Sequence, residues 1–324
     1  MGKIQWLPLI LGVAFGLRLA YGVQAPALAA DGSFLDIDHY SELAGSLASQ
    51  GAFADVDGKP SAERGPGFPI FLALLFKLFG RRYLPFLISQ AALGTICVWM
   101  MKRLGDQMFG SKVGWVAAAI GAVYPPFIYY CRLPARETFA IFVDLASLWL
   151  LIDAIRTDDG RLFAAAGLCG AAAALTHTTY LPFGLFVATA LGFWQSGKRA
   201  MIYLACFSAL YSLWPIRNYA QFHRPILGTT TAAGDHFYMF MVVPEEVGGT
   251  SKHYEILAQD KTWQEAWRCR PPIGRISFGR PAFAGSGSIR WATRSSSRLV
   301  GSTINGASCP GLATTDSPTG RSGG

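Results

Sequence analysis

Leu84-Pro-Phe-Leu-Ile-Ser-Gln-Ala-Ala-Leu-Gly-Thr-Ile-Cys-Val-Trp-Met-Met101 contains no charged residue, and Arg81-Arg82 and Lys102-Arg103 bracket it. A bilayer core is crossed by about 20 mostly apolar residues in a helix. Six other blocks have the same character: 5–23, 112–130, 138–155, 161–177, 180–195 and 200–216. The pattern predicts an all-α, polytopic transmembrane helical bundle of about seven spans over residues 1–216. Composition agrees. The chain is 52% hydrophobic and 15% charged, against roughly 25% charged for a soluble globular protein.

Gly67-Phe-Pro-Ile-Phe-Leu-Ala-Leu-Leu-Phe-Lys-Leu-Phe79 is apolar but short for a span, so it reads as an interfacial or re-entrant helix. It ends a long first outer loop, 24–83. Within that loop Tyr40, Leu43 and Leu47 fall on one helical face, with Asp38 as a candidate cap. The loop is therefore expected to carry juxtamembrane helices. The first block lacks a cleavage site directly behind a short apolar region, and it reads as an uncleaved span.

Orientation follows from the cations of short loops. With a cytoplasmic N-terminus, Lys3, Lys102, Arg103, Lys112, Arg156, Arg161, Lys198 and Arg199 all fall inside. This predicts a multi-pass protein of the inner (plasma) membrane. Arg64, Arg81, Arg82, Arg132, Arg136, Arg217 and Arg224 then stand on the far side, against the bias. Binding an anion there is one reason for them; ordinary surface charge is the other. Arg18 lies inside the first span, where it either snorkels or orients loop acids.

Residues 217–267 read as an outer-face segment. Residues 268–324 change vocabulary to Arg, Gly, Ser and Pro and read as a low-complexity tail, disordered or non-native. That tail holds eight arginines against Asp316 alone, so it carries +7 of the net +8. The basic balance is thus not a nucleic-acid footprint. The six cysteines show neither a Cys-x-x-Cys pair nor metal-ligand spacing, and no disulfide framework is expected.

The chemistry-bearing residues lie in the outer loop. Asp36-Ile-Asp38-His39-Tyr40 follows the first span, and Arg64-Gly-Pro-Gly-Phe-Pro69 leads into the short helix. Glycine and proline there fix a sharp entry and permit close backbone approach. Asp36-x-Asp38 also has the form of the metal motif of soluble nucleotide-sugar transferases. That motif needs an α/β nucleotide-binding domain, for which this chain has no room.

The order of motifs resembles a known family. An arginine in the first span (Gly16-Leu-Arg18-Leu19) is followed by Asp36-x-x-x-Tyr40, then Gly51-Ala-Phe53 and then Arg64 to Gly80. Tyr124-Pro-Pro126 and Trp214-Pro-Ile-Arg-Asn-Tyr219 come later. Together they resemble the GT-C membrane glycosyltransferases of the protein O-mannosyltransferase and lipid A aminoarabinose transferase type, over roughly residues 5–245. The resemblance implies a GT-C-like bundle and inverting, mannosyltransferase-like transfer from a polyprenyl-phosphate-linked sugar. The acceptor would be a lipid, protein or glycan at the outer face. It implies Asp36 as catalytic base, with Asp38 the neighbouring alternative. Arg64, Arg217, Tyr40, Glu137 and His177 are the expected donor- and phosphate-binding residues. Where the family has Arg-Pro after the fifth span, this chain has Thr176-His177-Thr178. No cofactor is implied with certainty and a divalent metal stays open. Membrane lipids are expected partners and nucleic acid is not. Family members usually continue with more spans, so the chain reads as truncated. A non-enzymatic polyprenyl-phosphate carrier, or an inactive fragment of such an enzyme, is the alternative.

Overall fold

In the computed structural model, residues 6–231 are described, apart from Ile37 and Val56. They fall within one unit, Met1–Tyr238; the second unit, Met239–Gly324, lies outside the described residues, as do most of segment 217–267 and all of the tail. The elements are helical: α1 Trp6–Gln24, α2 Tyr40–Gln50, α3 Gly67–Phe79, α4 Tyr83–Phe109, α5 Ser111–Val123, α6 Pro125–Tyr130, α7 Glu137–Thr157, α8 Gly160–Thr176, α9 Tyr180–Trp194 and α10 Gly197–Phe222. Among the described residues there is no strand, only two isolated bridges in the first loop.

Among the described residues, four helices are long and apolar enough to cross a membrane: α1, α4, α7 and α10. Helices α5, α8 and α9 are apolar but shorter. The block 112–130 is not one helix. Pro125 and Pro126 disfavour a helical residue before them, and Tyr124 is extended at ψ 115°, so α5 stops at Val123 and α6 starts anew. The last block runs longer than expected. Helix α10 continues past residue 216 to Phe222, through the internal Pro215.

Tight helix contacts use small residues, as membrane bundles do. A Cβ at Gly167 of α8 would stand 2.4 Å from the Tyr203 carbonyl of α10. Ser147 of α7 donates from Oγ to the Ala166 carbonyl of α8 at 2.9 Å. Phe163, Ala166, Ala171, Ala174, Tyr203 and Phe207 form the core of this half.

The second core holds the outer loop. Tyr40 and Ala44 of α2 pack on Phe68, Leu72 and Phe76 of α3, with Phe34 and Phe86 closing the cluster. The short block 67–79 is thus a helix with one face buried on α2. Its other face exposes Ile70, Leu74, Leu78 and Phe79, as an interfacial helix would.

Candidate active site

The loop between α1 and α3 owes its shape to two small turns. Asp31 Oδ1 accepts from the Ser33 amide at 2.9 Å, and Asp55 Oδ1 accepts from the amides of Asp57 (3.0 Å) and Lys59 (2.9 Å). Gly32 (φ 78°) and Gly58 (φ 75°) take the left-handed positions that glycine adopts without steric cost. Bridges Leu28–Phe34 and Ala54–Pro60 close each turn.

Between the turns the chain reaches α2. Asp38 was the expected cap, but Asp36 occupies that role: its Oδ2 accepts from the Ser41 amide. Asp38 instead pairs with Arg64, Oδ1 to Nη2 at 2.8 Å, while Arg64 Nε donates to the Asp38 carbonyl at 3.3 Å. His39, the residue between, sits at φ 59° and bonds Glu42 through Nδ1 at 2.6 Å. A left-handed step at His39 lets two nearby acids serve different partners.

The other oxygen of Asp36, Oδ1, is buried and meets no protein partner among the described residues. Burial pushes the Asp36 carboxyl above the usual carboxylate range. The bonds from Ser41 and the nearby His39 pull the other way without overcoming it. Tyr40 is buried, and burial also raises its phenol well above the ordinary value. Tyr40 is therefore neutral at physiological pH and is not a base.

The Tyr40 hydroxyl accepts from Arg136 Nη1 at 3.0 Å, and the Arg64 guanidinium lies 6.0 Å from the Tyr40 ring centroid. Arg136, Asp38, Arg64 and Glu137 are the charged groups within electrostatic reach of that hydroxyl. The start of α7 thus joins the loop acids. Glu137 Oε2 and Arg136 Nε are each buried with no partner among the described residues.

The Arg64-Gly-Pro-Gly turn seats on the end of α8. A Cβ at Gly65 would lie 2.4 Å from the Leu175 carbonyl, and one at Gly67 would lie 2.2 Å from Thr176 Oγ1. His177 follows immediately and is within electrostatic reach of Arg136. Its Nδ1 accepts from the Thr179 amide at 3.3 Å. The neutral ring therefore carries its proton on Nε2.

Of the seven sequence-predicted residues, Asp36, Asp38, Tyr40, Arg64 and Glu137 form one group, and His177 borders it through Arg136. Arg217 stands elsewhere. Its Nη1 donates to the Ser61 carbonyl at 2.7 Å and to Asn218 Oδ1 at 3.0 Å, and Nη2 donates to the Phe53 carbonyl at 2.9 Å. Trp214 and Phe53 stack around it, 5.0 and 5.6 Å from ring centroid to guanidinium. The geometry makes Arg217 a clamp on the back of the loop. Replacing it with Met removes three charge-assisted bonds and is expected to cost about 2 kcal/mol or more. Arg217→Lys should recover little, since one ammonium does not reproduce the fork. Unfolding midpoints of the two variants check this.

Arg136 is the residue that sequence reading undervalued. It entered only as one of seven outer-face cations, although its place directly before Glu137 was the available signal. Among the described residues no three of His, Cys, Asp and Glu converge as a metal-holding group.

A family model described as dolichyl-phosphate-mannose-protein mannosyltransferase matches residues 63–217. The match contains Arg64, Glu137, His177 and Arg217 and begins after Asp36. The fold is similar to the apo crystal structure of the Archaeoglobus fulgidus oligosaccharyltransferase, at a TM-score of 0.51 and 14% identity, over 87% of this chain. The helical bundle is GT-C-like in fold. The chain spans 41% of the archaeal protein's length. No curated sequence matches it.

Proposed function

We propose that this chain is a glycosyltransferase of the GT-C type, which transfers a sugar from a polyprenyl-phosphate donor to an acceptor at the outer face of the membrane, with inversion. Asp36 acts as base, the N-terminus is cytoplasmic and about seven segments cross the bilayer. The observation that carries the proposal is the Asp36 carboxylate. One oxygen is held by the Ser41 amide and the other is buried with no partner among the described residues. A carboxylate so held can take the proton that an attacking hydroxyl or amine must lose.

The leaving phosphate needs cations and donors. Arg64 and Arg136 border Tyr40, and His177 lies within electrostatic reach of Arg136. Glu137 faces the same group and is the second carboxylate for orienting the acceptor or donor hydroxyls. Arg217 is assigned support of the loop. Asp38 is engaged by Arg64, and no step is routed through a metal.

The test supplies a radiolabelled polyprenyl-phosphate sugar to membranes holding the full chain. Label appearing in a lipid, protein or glycan acceptor supports transfer. Label bound to the protein and never transferred supports the carrier reading instead.

A pH dependence follows. The base works only when ionised, and burial raises the Asp36 carboxyl. Transfer should therefore fall on the acid side at a pH above the ordinary aspartate value of about 4. His39, raised chiefly by its bond to Glu42, is the neighbouring titratable group. The acid limb is expected to persist in His39→Asn, as measured by kcat/KM against pH. A limb that vanished in that variant would belong to His39.

A further inference from the structure

Arg18 is fully buried, with 0% of its surface exposed, in the middle of α1. It neither snorkels nor reaches the loop acids, and among the described residues it forms no ion pair. A guanidinium inside an apolar bundle is costly unless its donors are used. Its Nη1 donates to the Ala14 carbonyl of its own helix at 2.8 Å and to the Ala122 carbonyl at 3.2 Å. Its Nη2 donates to the Gly121 carbonyl at 3.0 Å.

Those last two carbonyls have a particular history in the sequence. In a continuous α-helix the carbonyl of residue i accepts from the amide of residue i+4. For Gly121 and Ala122 the partners would be Pro125 and Pro126, and proline has no amide hydrogen. The Tyr124-Pro-Pro break thus strips the end of α5 of two donors, in an environment without water to replace them. We infer that Arg18 is the donor that replaces both missing proline N–H groups, from a different helix. The negative end of the α5 dipole favours a cation at the same spot.

Space for the guanidinium is built in. A Cβ at Gly94 of α4 would stand 2.6 Å from Arg18 Nε and 3.0 Å from its Cδ. Cys131, just after α6, closes over this region, its Sγ within hydrogen-bonding reach of the carbonyls of Phe127 (3.1 Å) and Gln90 (3.5 Å). The segment then delivers Arg132, whose Nη1 donates to the Ala25 carbonyl at 2.9 Å, and Arg136, which holds Tyr40. Arg18 therefore seats the whole connection from α5 to α7, and through it the two arginines that meet the outer loop. Two sequence features far apart, an arginine in the first span and a proline pair more than a hundred residues later, act as one device.

The test is a double-mutant cycle on the full chain in lipid nanodiscs: Arg18→Met, Pro125→Ala with Pro126→Ala, and all three together. Two readouts are taken, the unfolding midpoint and the rate of Cys131 alkylation followed by peptide mass. Neither depends on transfer activity, so failure here is separable from failure of the proposed function. Arg18→Met alone should lower the midpoint by about 5 °C or more and speed Cys131 alkylation at least tenfold. With alanine at 125 and 126 the helix can supply its own amides, so Arg18→Met should leave both readouts unchanged or raise the midpoint. If Arg18→Met alone does not fold, recovery of folded protein in the triple variant supports the inference. An equal loss in both backgrounds, or no recovery in the triple variant, overturns it.

Discussion

Asp36→Asn is expected to lower transfer by about 10²–10⁴-fold, the usual contribution of a positioned base, while leaving the fold intact. The asymmetry comes from the two oxygens of the carboxylate. One accepts from the Ser41 amide at the start of α2, and an asparagine oxygen can accept the same bond. The other is buried without a partner among the described residues, and there the amide places an NH₂ that cannot take a proton. Burial also disfavours the charged aspartate, so the neutral amide should cost no stability. Transfer rate and unfolding midpoint, measured on the same preparation, separate the two effects. Asp38→Asn should behave differently, since Asp38 is the ion-pair partner of Arg64. It should loosen the 64–67 turn as well as slow transfer.

Gly65→Ala is expected to be nearly as damaging to activity, by a different route. The added Cβ would stand 2.4 Å from the Leu175 carbonyl, a backbone atom that cannot rotate aside. Either the Arg64 turn or the end of α8 must move. Forced overpacking of this kind typically costs about 1–3 kcal/mol. Misplacing a positioning group by about 1 Å can cost about 10²-fold in rate, and Arg64, His177 and Asp38 all depend on that contact. Gly12→Ala in α1, where nothing lies within 4 Å of the new Cβ, is the matched control and should be neutral. A Gly65→Ala protein with normal transfer would mean that the turn's seat on α8 does not matter.

The bundle was legible because apolar length is a coarse signal that tertiary context rarely reverses. Each of the apolar blocks became helix, including 67–79, whose shortness alone marked it as different. The break at Tyr124 escaped because the block reads as one apolar length, although a proline pair disfavours a helical residue before it and removes two helix-forming amides. The site was legible as a set of loop residues but not as a set of partners. Asp38 reads as the cap in sequence, two residues nearer to α2 than Asp36. Only the left-handed step at His39 decides that Asp36 takes Ser41 and Asp38 takes Arg64. The two distant arginines divided unpredictably for the same reason. Arg136 enters the group because it starts α7 opposite Tyr40, whereas the donors of Arg217 are taken by the Ser61 and Phe53 carbonyls and Asn218. Sequence spacing does not carry which carbonyl a guanidinium will meet.

The central claim is that the buried, half-free carboxylate of Asp36 is the base of a sugar transfer. It is tested most directly by single-turnover transfer with the polyprenyl-phosphate sugar already bound, comparing the unaltered chain with Asp36→Asn. The prediction is donor binding within about threefold of the unaltered chain and transfer reduced by at least about 10²-fold. Transfer at an undiminished rate in Asp36→Asn would contradict it.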